Sequence, residues 1–304
     1  MRYEHLTKYP GVFLQVTGLR VPEFDTLVKD VAEPLAERER MRLHKERRQR
    51  AAGGGMVSTL DRRDQVLLTV IWLRLYPQHT VLGYLFGVSQ PTTGRYIERV
   101  LPVLAQAGRD GMQMPQPSRK QRKTLDQLLQ QIPELTVVVD TFEQRVQRPK
   151  GAANQHRWYS GKQRTHTVKS QVTVDKDSGK VVQVGPSVEG CTSDLTLART
   201  TLLPYLPMGV GVMGDTGYQG LHKSYPLAFS PVKRTGRKRE LTADDRAYNR
   251  AFAAVWIVVE TTLNRMRRYQ SISQRDRDHR RRHTQRVEAI AGLVNRQFDS
   301  RFTD

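Results

Sequence analysis

The spacing of apolar residues changes along this chain, and the changes divide it. In "VPEFDTLVKDVAEPLAERERMRLHKERRQR", Phe24, Leu27, Val28, Val31 and Leu35 recur at the interval of one helix face. "AAGGG" at 51–55 interrupts the pattern and reads as a hinge. A second helix is expected from near Leu60 to Pro77, with Asp61 as its cap and Val66, Leu67, Val70, Ile71 and Leu75 along one side. A short helix over Thr80–Phe86, a turn at Gly87–Val88, and a longer helix capped by Ser89 and running through Val100 should follow. Past a polar connector at 108–134, itself ending in a helix, the period shifts to that of strands. These are expected at 135–140, 165–175, 180–188, 210–215 and 227–233, with helices at 193–203, about 243–269 and 283–299. That order describes an α/β layer fold, and no internal repeat is evident. The implied divisions are 1–55, 56–107, 108–134, 135–272 and 273–304.

Two short helices around a glycine turn have helix-turn-helix spacing. Ser89, Thr92, Thr93, Arg95 and Tyr96 would stand at the start of the second helix, where such a motif meets base edges and phosphates. An ordinary helical hairpin has the same spacing, and charge separates the two readings. Fifty Lys and Arg against thirty Asp and Glu leave a net charge of +20, a field that attracts polyanions, nucleic acid first. The excess is clustered: Arg38–Arg50 holds seven basic residues against two acids, and Arg265–Arg286 nine against two. A mean hydropathy of −0.60, no apolar run of the roughly 18 residues a membrane span needs, and no signal-peptide core at the start point to a cytoplasmic protein without a membrane partner. A single cysteine, Cys191, excludes an intrachain disulfide and a thiolate metal cluster.

Three acids stand where acids are unusual. Asp140 closes the strand "LTVVVD", Asp215 closes "VGVMGD" ahead of the turn "TGYQG", and Glu260 interrupts the apolar helix "FAAVWIVVETTLNRM", where Val258, Val259 and Leu263 suggest an inward face. Their separations, 75 and 45 residues, suit convergence through a fold rather than local pairing. Strand ends of α/β sheets are where sites are built. Carboxylates packed together repel unless a cation shares them, and hard divalent ions such as Mg²⁺ or Mn²⁺ take oxygen ligands of this kind. A pair of such ions about 3.5–4 Å apart can hold both oxygens of an in-line phosphoryl displacement. Taken singly, each aspartate serves equally well as a turn cap, and Glu260 as a surface partner of Arg265 or Arg267.

Several segments in this order resemble bacterial insertion-sequence transposases of the DDE endonuclease superfamily. "WLRLYPQHTVLGYLFGVSQPTTGRYIERVLPVL" is similar to the helix-turn-helix preceding the core in one branch. "VVVDTFEQRVQRP", "YSGKQRTHTVKSQ", "GDTGYQG" and "VVETTLNRMRRYQSI" resemble the successive motifs of the catalytic core. The resemblance implies a ribonuclease-H-like mixed sheet flanked by helices, preceded by an all-α DNA-binding region. It makes Asp140, Asp215 and Glu260 a catalytic, metal-binding triad holding Mg²⁺ or Mn²⁺, two ions per site. It further implies cleavage at the element's terminal inverted repeats, strand transfer to target DNA, and a homodimer on paired ends. Basic residues on the second strand make His166 and Lys169 candidate phosphate contacts, with Lys162 in the mixed aromatic and cationic stretch "HRWYSGKQR" and Arg267 seven residues beyond the glutamate. Relatives often carry an arginine four residues before that glutamate; here the position is Trp256. Glu143 is expected to point away from the site, and the tail "RDRDHRRRHTQR" to touch phosphates without reading sequence. A DNA-binding regulator without catalysis, or a nuclease that cuts without joining, remain rival readings.

Overall fold

The computed structural model describes residues 1–43, 58–116, 136–234 and 240–299. The hinge at 51–55 and most of the connector, with its helix, lie outside them, as does part of the basic run ending at Arg50. In chain order the helices are α1 (Tyr3–Leu6), α2 (Pro10–Thr17), α3 (Val21–Leu43), α4 (Arg62–Leu75), α5 (His79–Phe86), α6 (Gln90–Asp110), α7 (Ala152–Trp158), α8 (Asp194–Thr201), α9 (Ala243–Arg267), α10 (Gln270–Ser273) and α11 (His283–Asp299). The strands are β1 (Thr136–Arg145), β2 (Tyr159–Ser160), β3 (Thr165–Asp175), β4 (Val181–Val184), β5 (Val188–Glu189), β6 (Gly211–Gly214) and β7 (Ala228–Phe229). Most expected elements within the described residues are present with shifted ends; the strand expected at 180–188 is instead two, β4 and β5, and of that expected at 227–233 only Ala228–Phe229 pairs. None of these helices is long and apolar enough to cross a membrane.

The residues form two compact units. The first is helical and comprises 1–110, 267–274 and the chain from Gln285 onward. Asp61 caps α4 by accepting the Asp64 N–H, as its position before an apolar run requires. Between α5 and α6 the chain turns at Gly87, whose φ of 68° lies in the left-handed region a side chain disfavours. Ser89 Oγ then accepts the Thr92 N–H at the start of α6. Two glycines let α6 and α11 cross at backbone distance: a β-carbon on Gly292 would stand 2.5 Å from Gly108 Cα. From α11, Val287, Ile290, Leu293 and Val294 are buried. Arg286, which the sequence grouped with the phosphate-binding tail, is wholly buried and donates to the Ser271 carbonyl.

The second unit, 111–266 with 275–284, is built on a seven-stranded mixed sheet. Its spine runs β2-β3-β1-β6-β7, and β4 and β5 pair with β3. β1 is antiparallel to β3 and parallel to β6, and β6 is parallel to β7. Thr136 to Val139 are all buried, the continuous apolar run expected of a strand covered on both faces. Val137, Val139 and Val212 pack one face against Ala198 of α8, Leu202 and Tyr218. The helix α9 buries Phe252, Val259, Leu263 and Met266, and its Thr262 Oγ1 donates to the Gly179 carbonyl in the β3–β4 turn at 2.7 Å. The result is the α/β, ribonuclease-H-like arrangement with helices flanking a mixed sheet.

Candidate active site

β1 does not stop at Asp140. It continues to Arg145 against β3, but its parallel pairing with β6 ends at Val139↔Gly214. Asp140 and Asp215 are therefore the residues that follow the last paired positions of two adjacent parallel strands, Asp140 within β1 and Asp215 just past the end of β6. A separation of 75 positions in the chain becomes one step in the sheet. Both are half-buried. Each gives one carboxylate oxygen to a local backbone donor: Asp140 Oδ1 accepts the Thr141 N–H at 2.7 Å, and Asp215 Oδ1 accepts the Gly217 N–H at 2.8 Å. The second bond caps the 3₁₀ turn Thr216–Tyr218. The capping role open to Asp215 in the sequence is thus real, and it leaves the residue at the strand end.

Glu260 differs from expectation. It is exposed, although Val259 and Leu263 beside it are buried. The buried stripe of α9 passes through 252, 259, 263 and 266, and residue 260 lies a further 100° around the helix from 259. The inward carboxylate inferred from apolar neighbours is corrected to an outward one. Trp256 stacks on Phe252 with ring centroids 5.9 Å apart, so aromatic packing occupies the position for which the resemblance implied a cation.

Among the described residues no group of three acids, histidines or cysteines is close enough to hold a metal ion by itself. Asp140 and Asp215 nonetheless fit one as donors: two carboxylates side by side where the pairing of adjacent strands ends, with Asp215 in no ion pair among the described residues. The phenol of Tyr218 lies inside this cluster. Burial pushes its pKa well above 10, and the charges of Asp140, Asp194 and Asp215 push the same way.

Asp194 was not anticipated. It opens α8 next to the N-cap Ser193, so the sequence shows it only as a first-turn acid. In the fold its Oδ1 accepts from Thr141 Oγ1 at 3.0 Å and from Lys169 Nζ at 2.8 Å. Lys169 also donates to the Thr192 carbonyl at 2.7 Å and lies 3.6 Å from Glu143, directly across the β1–β3 ladder. Its side chain is 7% exposed and that of Glu143 5%. Lys169 is therefore removed from the DNA contacts read in the sequence, because buried acids hold it. Glu143 binds Lys169 and the Thr167 hydroxyl (2.6 Å).

The remaining candidate contacts divide by exposure. Lys162, Arg267, Ser89 and Arg95 are exposed, and Thr92 and His166 half-buried, the last edge-on to Tyr159. Thr93 and Tyr96 are buried: the Tyr96 hydroxyl pairs with Ser58 Oγ at 2.9 Å, and Thr93 Oγ1 donates to the Ser89 carbonyl. These two belong to the helical core, which corrects their assignment to a DNA-reading face. Near Trp158 the Arg280 guanidinium lies 4.5 Å from the ring centroid, and His283 is buried with Nε2 2.7 Å from Gln144 Oε1. The stretch 275–284 is thereby packed into the sheet unit instead of forming a loose arm.

Residues 139–295 match the family described as DDE superfamily endonuclease, and residues 58–110 match the helix-turn-helix of DDE superfamily endonuclease. The chain is also 28% identical over 232 residues to a probable transposase for insertion sequence element IS702 from Microchaete diplosiphon, an alignment covering 76% of this chain and 79% of that protein. Asp140, Asp215 and the α9 glutamate fall within the first match, and α4, α5 and α6 within the second. With its helix-turn-helix ahead of a mixed-sheet core, the chain belongs to the DDE superfamily of endonucleases.

Proposed function

We propose that the protein binds the terminal inverted repeats of an insertion sequence and carries out both strand cleavage and strand transfer at one acidic site. The observation that carries this is the alignment of Asp140 with Asp215 where the parallel pairing of β1 with β6 ends, in the centre of the sheet. Asp140 and Asp215 would hold divalent metal, Mg²⁺ or Mn²⁺ and two ions per site, with Glu260 as the third acid of the triad. When bound, the ions polarise the phosphate and lower the pKa of the attacking water or 3′-hydroxyl. The backbone N–H groups of Thr141 and Gly217 keep the two aspartates oriented. Arg267, exposed at the end of α9, is suited to hold a phosphate; Arg95, with Ser89, faces outward from the helix-turn-helix to meet the repeat. Two copies acting on paired ends, and target DNA as second substrate, complete the proposal.

The test is incubation of the protein with labelled element ends and Mg²⁺. Joined products support the transposase, cleavage alone a nuclease, and binding alone a regulator. Asp140→Ala is expected to abolish cleavage while end binding persists. If binding disappears with it in a folded variant, Asp140 is a structural cap and the assignment fails.

A further inference from the structure

The two aspartates are oriented by backbone donors, and one side chain lies beside both donor residues. Thr141, whose N–H binds Asp140, sends its hydroxyl to Asp194 Oδ1 at 3.0 Å. Gly217, whose N–H binds Asp215, has the other oxygen on the side a side chain would occupy: a β-carbon there would stand 2.9 Å from Asp194 Oδ2 and 3.0 Å from Asp215 Oδ1. Asp194 therefore sits between the residue that orients one candidate ligand and the residue that orients the other. It comes from α8, on neither of the strands that carry them. Its own position is fixed by Lys169, whose ammonium lies 2.8 Å from Oδ1 and is anchored in turn by the Thr192 carbonyl and Glu143.

We propose that Asp194, held by the buried Lys169, is a positioning residue: it sets the separation and orientation of Asp140 and Asp215 and so their affinity for a divalent cation. It is not a further ligand. A carboxylate that shares one oxygen between an ammonium and a hydroxyl is already neutralised and competes poorly for an ion. Such outer contacts orient first ligands, and their loss typically lowers metal affinity or activity by about 10–100-fold. The proposal rests on the reading of Asp140 and Asp215 as the ion-binding pair.

The experiment titrates the full-length protein, without DNA, with Mn²⁺ alone, following free Mn²⁺ by its electron paramagnetic resonance signal. Cleavage of labelled ends at saturating DNA is measured in parallel. Asp194→Asn takes from the buried Lys169 the closer of its two acidic partners and risks misfolding, so Thr141→Val is the principal variant, since it removes one hydroxyl and keeps the shape. Thr141→Val should weaken Mn²⁺ binding by about ten-fold and slow cleavage at saturating DNA, with the dissociation constant for end DNA unchanged. Thr141→Ser, which restores the hydroxyl, should return both to the wild-type values. A Thr141→Val protein with wild-type Mn²⁺ affinity, beside an Asp140→Asn protein whose affinity has fallen, would overturn the positioning role and leave the ion site standing. Unchanged affinity in Asp140→Asn itself would overturn both.

Discussion

Replacing Lys169 by methionine tests whether that residue belongs to the interior or to the DNA interface. Methionine keeps the aliphatic length and removes the charge. In the fold described, three things are lost at once: the 2.8 Å bond to Asp194, the 3.6 Å pairing with Glu143, and the 2.7 Å bond to the Thr192 carbonyl. The two carboxylates remain, 12% and 5% exposed, each with one hydroxyl donor, Thr141 and Thr167 respectively. Removing one partner of a buried pair typically costs about 3–5 kcal/mol, because the other charge stays buried without compensation. Here the surviving hydroxyl bonds favour the lower part of that range. Urea unfolding followed by far-ultraviolet circular dichroism should therefore show destabilisation of about 3 kcal/mol. A Lys169→Met, Asp194→Asn, Glu143→Gln triple variant should recover much of it, since it leaves no charge behind. DNA affinity, measured on folded protein against salt, should keep its slope. If Lys169 instead gripped a phosphate, stability would stay constant and the slope would fall by about one unit. A stability loss below about 1 kcal/mol together with a reduced slope would refute the buried assignment.

Gly292→Ala drives a methyl group to 2.5 Å from Gly108 Cα, backbone against backbone, and should destabilise the helical unit by about 1–3 kcal/mol in thermal or urea unfolding. Asp64 carries a raised pKa because it is buried, although the Tyr3 N–H bonded to it pulls the other way. A raised folded value means that its contribution is fully present below the usual aspartate value of about 3.9 and is lost as pH rises through the folded value. Asp64→Asn, which keeps the acceptor, should therefore compare more favourably with wild type at pH 7 than at pH 3, and a pH-independent difference in unfolding free energy would contradict this. Raising salt from about 50 to 200 mM should weaken end binding by about three to five orders of magnitude if roughly six to ten phosphates are engaged. A flat binding curve would count against the basic surface as a DNA footprint.

What could be read from the sequence was whatever depends on neighbours in the chain. The run Val137–Val139 announces a doubly covered strand, and Asp61 and Ser89 announce helix starts. Glycine at position 87 marks the turn between the two short helices. Asp140 and Asp215 stood out because an acid directly after a buried strand needs a reason. Lys169 misled because its partners are remote: in a chain with +20 net charge, one more lysine reads as part of the DNA footprint until Glu143 and Asp194 are brought to it. Asp194 was hidden for the converse reason, since an acid in a first helical turn already has a local explanation. Thr93 and Tyr96 were legible in principle. They continue the three-and-four spacing of Ile97, Val100, Leu101 and Leu104, which places them on the buried stripe of α6. Glu260 lay in a helix whose apolar residues spread beyond one stripe, with Ile257 60% exposed, so pattern alone did not fix its side.

The way the chain is shared between the two units bears on how it can be made. The helical unit draws on α11, near the far end of the sequence, while the sheet unit needs nothing beyond Thr284. A ribosome delivers residues in order, so the sheet unit can be complete while the helical unit still lacks Val287, Ile290, Leu293 and Val294. A product terminated there would thus possess the whole sheet unit beside an unfinished helical one. No single proteolytic cut releases the helical unit whole, and a recombinant version must splice its C-terminal segment back on.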